Sequence, residues 1–153
     1  MTTNPQFVEK WVRILNDVDR EMSCIAAAKL AKTNDPAVIP HLIKALKNRP
    51  EDVRVAIIRA LGNLKHRSAV PALTPLLRDS SVLVASMAAD ALGEIRDPSS
   101  VPALVGAVRA YKQLYNSYSR LHTGERGVYL AALTALQRIG TVEAQQAVKQ
   151  YNR

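Results

Sequence analysis

Side chains that could carry out chemistry are few and scattered in this sequence. The three histidines, His41, His66 and His122, stand far apart, and no CxxC, HExxH or paired His-Glu step is present. Transition metals require such groups at spacings that let them converge on one ion. We therefore expect no metal and no other cofactor.

Nucleophilic and acid–base chemistry is also poorly represented. Cys24 is the only cysteine, and its neighbours Met22, Ile25 and Ala26 favour a small packing role over a reactive thiol. Asp90 and Glu94 stand one turn apart on a predicted helix, which is typical of a solvated face. No P-loop, GxGxxG or GxSxG motif occurs. The sequence predicts that the protein is not an enzyme.

Composition favours a soluble helical domain. Hydrophobic residues make up 48% and charged residues 22%, while aromatic residues reach only 5%. Plentiful Ala, Leu and Val suit close helix packing better than a β-sandwich. A single cysteine allows no internal disulfide, and neither a signal pattern nor an apolar run of ~20 residues is present. We expect a cytoplasmic location.

The net charge of +8 is concentrated in the first half of the chain. Residues 1–78 hold 13 Lys and Arg against 7 Asp and Glu, and the remainder holds 8 against 6. Such an excess can attract nucleic acid, an anionic membrane or an acidic protein, although a solvated face of charged helices is the favoured explanation. The candidate basic ridge collects cations at helix ends and on first helices: Lys29, Lys32, Lys44, Lys47, Arg49, Lys65 and Arg67, of which the first five are the candidate contacts for an acidic partner.

The main pattern is an internal repeat of 31 residues. Positions that match at this shift carry apolar residues or proline in each copy. They include Pro40, Pro71 and Pro102; Trp11, Leu42, Leu73 and Leu104; and Leu30, Leu61 and Leu92. A repeat of this length is typical of stacked two-helix units, since one such unit cannot bury its apolar face alone.

Each unit is predicted to contain two helices. Asp35-Pro36 and Asp97-Pro98 provide an N-cap followed by proline at the first helical position, with His66-Arg67 as a deviant copy. The second helices carry closely spaced small residues that let their neighbours approach. The fold expected is therefore all-α: a right-handed α-α superhelix of about four helix pairs plus a C-terminal capping helix.

Two segments resemble a known repeat family. Ala91-Leu92-Gly93 with Val101-Pro102-Ala103-Leu104, and Ala60-Leu61-Gly62 with Val70-Pro71-Ala72-Leu73, are similar to HEAT-like repeats of the phycobilin-lyase type. The resemblance covers nearly the whole chain. It implies a solenoid fold, and it extends to scaffolds, adaptors, lyase subunits and nucleic-acid binders.

We expect one domain, residues 1–153, in which the last full unit is enlarged. The units span about 4–34, 35–65, 66–96 and 97–140, followed by a cap over 141–153. Ile95 and Ile139 are 44 residues apart, so about 13 residues are inserted near 109–125. The first helix of this unit is expected to end or bend near 115–118, and residues 122–127 are predicted to form a loop.

The insertion and the inner groove are the candidate binding surfaces. Tyrosines in and beside the insertion either contact a partner or cover the end of the solenoid. Groove positions lie just off the core face of the second helices, and Arg59 and Asp90 are predicted to pair across neighbouring units. The candidate partner-binding residues are Arg54, Val55, Arg59, Ser86, Asp90, Tyr111, Tyr115, Tyr118, Tyr129 and Leu130.

Three functional hypotheses follow from these observations. The first is a non-enzymatic adaptor or assembly scaffold that binds a peptide, a helix or a subunit surface of another protein. The second, implied by the repeat type, is a phycobilin lyase subunit or phycobilisome-handling factor. The third is nucleic-acid binding through the basic ridge.

Overall fold

The protein is an α-helical solenoid whose repeat follows the sequence period. The computed structural model describes residues 4–47, 49–117 and 123–151. The helices in these ranges are α1 (Pro5–Leu15), α2 (Arg20–Ala31), α3 (Ile39–Ala45), α4 (Glu51–Leu64), α5 (Val70–Leu73), α6 (Val82–Ile95), α7 (Val101–Ser117), α8 (Thr123–Ile139) and α9 (Val142–Tyr151). Short 3-10 turns cover Pro36–Val38, Arg67–Ala69, Thr74–Arg78 and Pro98–Ser100.

In each unit the second helix is followed by the same kind of two-residue junction. A residue with positive φ reverses the chain, and the next residue caps the helix or turn that follows. The positive-φ residues are Asn34, Lys65, Arg96 and Gly140. The predicted caps are confirmed, since the side chains of Asp35 and Asp97 accept hydrogen bonds from the backbone N–H groups of Ala37 (2.9 Å) and Ser99 (2.8 Å).

His66 performs the capping role in the deviant copy. Its Nδ1 accepts a hydrogen bond from the backbone N–H of Ser68 at 3.3 Å, as the aspartates do in the neighbouring units. At the last junction Thr141 Oγ1 accepts one from the N–H of Ala144 at 3.2 Å. Each cap therefore satisfies an amide that a helix start would otherwise leave without a partner.

The first helices of the second and third units are less regular than the continuous helices predicted. α3 follows a 3-10 turn, and α5 has a single turn before the chain tightens into the 3-10 segment Thr74–Arg78. Pro75 lies in that segment and has no amide hydrogen to donate to a carbonyl one turn earlier. The core register is kept nonetheless, because Leu42, Leu73 and Leu104 are fully buried.

The second helices stack directly on one another, α2 on α4, α4 on α6 and α6 on α8. Their contacts are made by very small residues. A Cβ placed on Gly62 would lie 3.0 Å from Cα of Ala91, and one on Gly93 would lie 2.8 Å from Cα of Ala135. These glycines allow the backbones to approach more closely than any side chain would permit.

The insertion lengthens two helices, and the predicted loop over 122–127 is wrong. α7 continues to Ser117, within the range predicted for its end, and α8 already begins at Thr123. A Cβ on Gly124 would lie 2.9 Å from Cγ1 of Val82. The first turn of α8 therefore packs against the start of α6, and this contact holds a Gly-containing segment in a helix. His122 lies outside the described residues.

The C-terminal helix α9 closes the solenoid. Its residues Ala144 and Ala147 are buried against the solenoid, and Tyr151 is its last residue. Lys112 Nζ and the Tyr129 hydroxyl both donate to the backbone carbonyl oxygen of Tyr151. Arg109 Nε donates to the Tyr151 hydroxyl at 3.2 Å. The cap is thus attached to both helices of the enlarged unit.

Replacing Gly93 by Ala is expected to destabilise the protein, because the added Cβ must displace the backbone of α8. We expect a loss of about 1–3 kcal/mol in the free energy of unfolding, measured by urea denaturation. Gly106→Ala is the matched control, since nothing lies within 4 Å of a Cβ at that position. That substitution should stabilise α7 by up to about 1 kcal/mol. Equal effects of the two substitutions would contradict the packing described.

Candidate binding groove

A groove of about 560 Å³ lies between α2 and α4. Its floor is formed by alanines and its rim by polar and charged side chains. The lining residues are Cys24, Ala28, Ala31, Lys32, Asn34, Ala56, Arg59, Ala60 and Asn63. Four of these are small because neighbouring second helices must approach closely. The same requirement leaves an apolar trough on their exposed side.

Two cations border the groove. Lys32 and Arg59 are exposed, and neither forms a salt bridge within the part of the chain that the structure describes. Two amide side chains, Asn34 and Asn63, accompany them. An apolar floor beside unpaired cations suits an amphipathic ligand that carries carboxylate groups.

Cys24 is a half-buried thiol at one edge of the groove. Its Sγ lies 3.8 Å from the backbone oxygen of Asp52. Burial raises the pKa of Cys24, and the negative charge of Asp52 acts in the same direction. Because the thiolate is the nucleophilic form, these surroundings disfavour a reactive role at neutral pH.

Arg54 is engaged within the protein. It forms an ion pair with Asp79, and the two side chains are only 20% and 12% exposed. Asp79 also accepts a hydrogen bond from the backbone N–H of Ser81 at 2.8 Å, so the pair joins α4 to the start of α6. The predicted partner-binding role of Arg54 stays a prediction, but in this structure its guanidinium is already paired with Asp79.

The predicted pairing of Arg59 with Asp90 is wrong. In the described part of the chain Arg59 forms no ion pair, and Glu94 provides the carboxylate that bridges the units. Glu94 Oε1 accepts from Arg138 Nη1 at 2.7 Å, and Glu94 Oε2 lies 3.6 Å from Lys65 Nζ. Partial burial raises the pKa of Asp90, and Arg138 opposes that effect.

The remaining groove candidates differ in exposure. Val55 packs partly against the core, and Ser86 is half-buried. Leu130 is 47% exposed on α8, which is high for a large apolar side chain. Their contacts with a partner stay predictions.

The hydroxyl groups of Tyr111 and Tyr129 form hydrogen bonds within the protein. The Tyr111 hydroxyl donates to the Leu77 carbonyl oxygen at 3.4 Å, and the Tyr129 hydroxyl donates to that of Tyr151. Burial raises the pKa of Tyr129. Their role in partner binding stays a prediction, and both hydroxyl groups already have acceptors in the chain. Tyr118 and the side chain of Tyr115 lie outside the described part of the structure.

Arg49 does not belong to the predicted basic ridge, and this part of the prediction is wrong. Its Nη2 donates to the carbonyl oxygens of Leu15 (3.3 Å) and Asp17 (2.9 Å) and to Ser23 Oγ (2.5 Å). The guanidinium satisfies carbonyls at the C-terminal end of α1, which attract a cation. This leaves the nucleic-acid hypothesis without support from the structure, although Lys44 and Lys47 are exposed.

Sequence reasoning assigned Arg59 to the groove but placed Lys32 on the ridge and missed Asn34 and Asn63. A signal for them was present, since Lys32 and Asn63 follow Ala28 and Arg59 by four residues and share their helix faces. Asn34 was harder to find, because its position depends on the positive φ at the end of α2.

No group of three or more His, Cys, Asp or Glu side chains within the described ranges could hold a metal ion. None of the described helices has the length and apolar character needed to cross a membrane. A second groove, of about 610 Å³, lies between α7 and α9 and includes Pro98, Val105, Glu143 and Gln150.

Comparison with protein families identifies the type of repeat in this solenoid. The family model described as HEAT repeats matches residues 39–113, and the model described as PBS lyase HEAT-like repeat matches residues 24–48. The chain is a HEAT-like repeat protein. The family resemblance and the all-α solenoid expected from the sequence are confirmed.

Solved structures give a more specific similarity. This HEAT-like repeat protein matches a chain in the complex of CpcE and CpcF of phycocyanin lyase from Nostoc sp. PCC7120, with a TM-score of 0.73 and 26% identity. The match covers 99% of this chain and 66% of the lyase chain, so this chain spans slightly less than two thirds of that relative. No curated protein sequence gives a significant match.

Two further structures share the fold. An engineered protein is 26% identical with a TM-score of 0.61, over 95% of this chain and 68% of its own. Human deoxyhypusine hydroxylase in complex with glycerol has the same TM-score of 0.61 at 19% identity, over 95% of this chain and 67% of its own. The latter similarity shows the fold alone.

The expectation that the protein is not an enzyme is overturned by these comparisons. The evidence against it is the similarity to a phycocyanin lyase chain, together with the match to the PBS lyase HEAT-like repeat. The expectation failed because it rested on the absence of a recognisable catalytic motif. HEAT-like repeats are defined by packing residues, and these carry no catalytic motif.

Removing the Arg54 side chain should destabilise the fold. Arg54→Ala leaves the largely buried carboxylate of Asp79 without its ion pair, and we expect a loss of about 1–3 kcal/mol in urea denaturation. Arg59→Ala is the control and should change stability by less than about 0.5 kcal/mol, since Arg59 is exposed. An unchanged free energy of unfolding for Arg54→Ala would mean that this ion pair does not join the units.

Proposed function

We propose that this protein is a subunit of a phycobilin-lyase-type enzyme and acts together with a second protein subunit. The observation that carries the proposal is the similarity to a chain of phycocyanin lyase over 99% of the present chain. That lyase chain was solved in a complex of two different proteins. The PBS lyase HEAT-like repeat match supports the same function.

The groove between α2 and α4 is the proposed pigment site. Cys24, Ala28, Ala31, Lys32 and Asn34 all belong both to its lining and to the segment matched by the PBS lyase repeat. A phycobilin is an open-chain tetrapyrrole with a flat apolar body and carboxylate side chains. Its body suits the alanine floor, and its carboxylates suit the cations at the rim.

Each cation has a distinct place in this proposal. Arg59 lies on α4 and presents a planar guanidinium that can donate two parallel hydrogen bonds to a carboxylate. Lys32 lies at the end of α2, on the opposite wall, as a point charge. Burial raises the pKa of Cys24, which favours the thiol over the nucleophilic thiolate at this edge of the groove.

Removing both rim cations should weaken pigment binding by about tenfold or more, because each charged hydrogen bond contributes about 1.5–3 kcal/mol. The Lys32→Ala, Arg59→Ala double variant would be titrated with a phycobilin, and the change in visible absorbance would be recorded.

The matched control is the Lys44→Ala, Lys47→Ala double variant, which removes the same charge from exposed positions outside the groove lining. It should bind the pigment like the unmodified protein. Equal weakening in both variants would show that net charge, and not the groove, controls binding. No absorbance change with the unmodified protein, alone or with a second lyase subunit, would contradict the proposed function.

A further inference from the structure

The N-terminal end of the solenoid exposes large apolar side chains. Phe7 on α1 is 37% exposed, and Met22 and Ile25 on α2 are 37% and 38% exposed. Trp11 lies beside them, with its ring centroid 6.1 Å from that of Phe7. We call Phe7, Trp11, Met22 and Ile25 the N-terminal surface.

The positions of Phe7 and Met22 are completely buried in later units, whereas those of Ile25, occupied by Ala56 and Met87, are half-buried. Phe7 corresponds to three residues that are completely buried, and Met22 corresponds to two more. These counterparts are Val38, Ala69 and Ser100 for Phe7, and Val53 and Val84 for Met22. Later units bury these positions because another unit precedes them in the stack. In the first unit the residues at these positions are larger and partly exposed, since Phe7 and Met22 are each 37% exposed.

The opposite end of the solenoid is treated differently. α9 covers it and turns exposed polar residues outward, among them Glu143, Gln146 and Lys149. A polar terminal face is the usual way in which a solenoid ends its stack. Among the described residues no helix covers the N-terminal surface in this way, so its apolar side chains are available to a partner.

Lys29 stands at the position where later second helices pack most closely on their neighbours. The equivalent positions are Ala60, Ala91 and Ala135, and a Cβ placed on Gly62 or Gly93 would lie 3.0 Å from Cα of Ala91 or 2.8 Å from Cα of Ala135. A lysine side chain at this position prevents such an approach. The occupant must therefore sit further out, on the Phe7, Trp11, Met22 and Ile25 side chains.

The charge beside this surface selects the occupant. Lys10 Nζ lies 5.7 Å and Lys29 Nζ 6.0 Å from the centre of the Trp11 ring, so two cations flank the aromatic group. Glu21 is in the first turn of α2, at the other end from Lys29. A second copy related by a two-fold axis that passes through Trp11 would bring these lysines together, which is unfavourable.

We infer that the N-terminal surface docks an amphipathic helix of a different protein, whose apolar side chains are flanked by Asp or Glu. The apolar side chains would cover Met22 and Ile25, and the carboxylates would pair with Lys10 and Lys29. The inference rests on the proposed function for one point, namely that the second lyase subunit supplies this helix.

Trp11 is the only tryptophan and reports directly on this surface. The full chain would be titrated with a synthetic helix of about 18 residues, roughly five turns, with Leu on one face and Glu beside it. We expect a blue shift of Trp11 emission and binding at least about tenfold tighter than that of the same peptide with Lys in place of Glu. Equal affinity for both peptides, or no change in emission, would overturn the inference.

Substitution locates the binding. Ile25→Ser should weaken the Glu peptide by about tenfold, since burying one such side chain contributes about 1.5–3 kcal/mol. Leu83→Ser is the matched control on α6, where Leu83 is 51% exposed outside the N-terminal surface, and it should bind normally. Light scattering should show a monomer. A dimer abolished by Ile25→Ser would assign the surface to a second copy and overturn the choice of partner.

The two proposals fail separately. The Lys32→Ala, Arg59→Ala variant should retain the Trp11 response, because neither residue belongs to the N-terminal surface. A chain that binds the Glu peptide but gives no phycobilin absorbance change would retain the docking surface and lose the lyase function. A chain that binds the pigment but shows no Trp11 response would lose the docking surface alone.

Discussion

The close approach of successive second helices is the constraint on which the rest of the structure depends. It requires Gly62 to meet Ala91 and Gly93 to meet Ala135 at distances that leave no room for another carbon atom. Small residues must therefore recur at the same positions in each unit. The alanine floor of the groove is a by-product of this requirement, since Ala56 and Ala60 belong to the same helix that carries Gly62.

The cations of this chain divide into those that hold units together and those left available. Arg49, Arg54 and Arg138 each bind oxygen atoms of another unit, and they account for much of the polar connection along the stack. Lys32 and Arg59 border the groove without a salt bridge in the described part of the chain. An overall charge of +8 is thus a poor guide to function, because part of it is structural.

The proposed pigment groove and the N-terminal surface share α2. Ile25 and Ala28 are three residues apart on this helix, as are Lys29 and Lys32, so the two surfaces are neighbours along its exposed side. A partner docked at the end of the solenoid would lie beside the groove. If the proposed function holds, such proximity would let a second subunit complete the pigment site.

The sequence by itself determined the fold class, the repeat and the caps, because these depend on local rules: helix periodicity, side-chain capping and the conformational limits of proline. Only the tertiary structure decided which polar residues are available. The sequence does not distinguish Arg49 from Arg59. In the structure, however, Arg49 donates hydrogen bonds to carbonyl oxygens at the end of α1, and Arg59 lines a groove. The start of α8 was likewise decided by tertiary packing of Gly124 on Val82. The availability of a polar residue and the start of α8 both depend on which distant residues the stack brings within a few ångströms. A local sequence pattern does not specify those contacts.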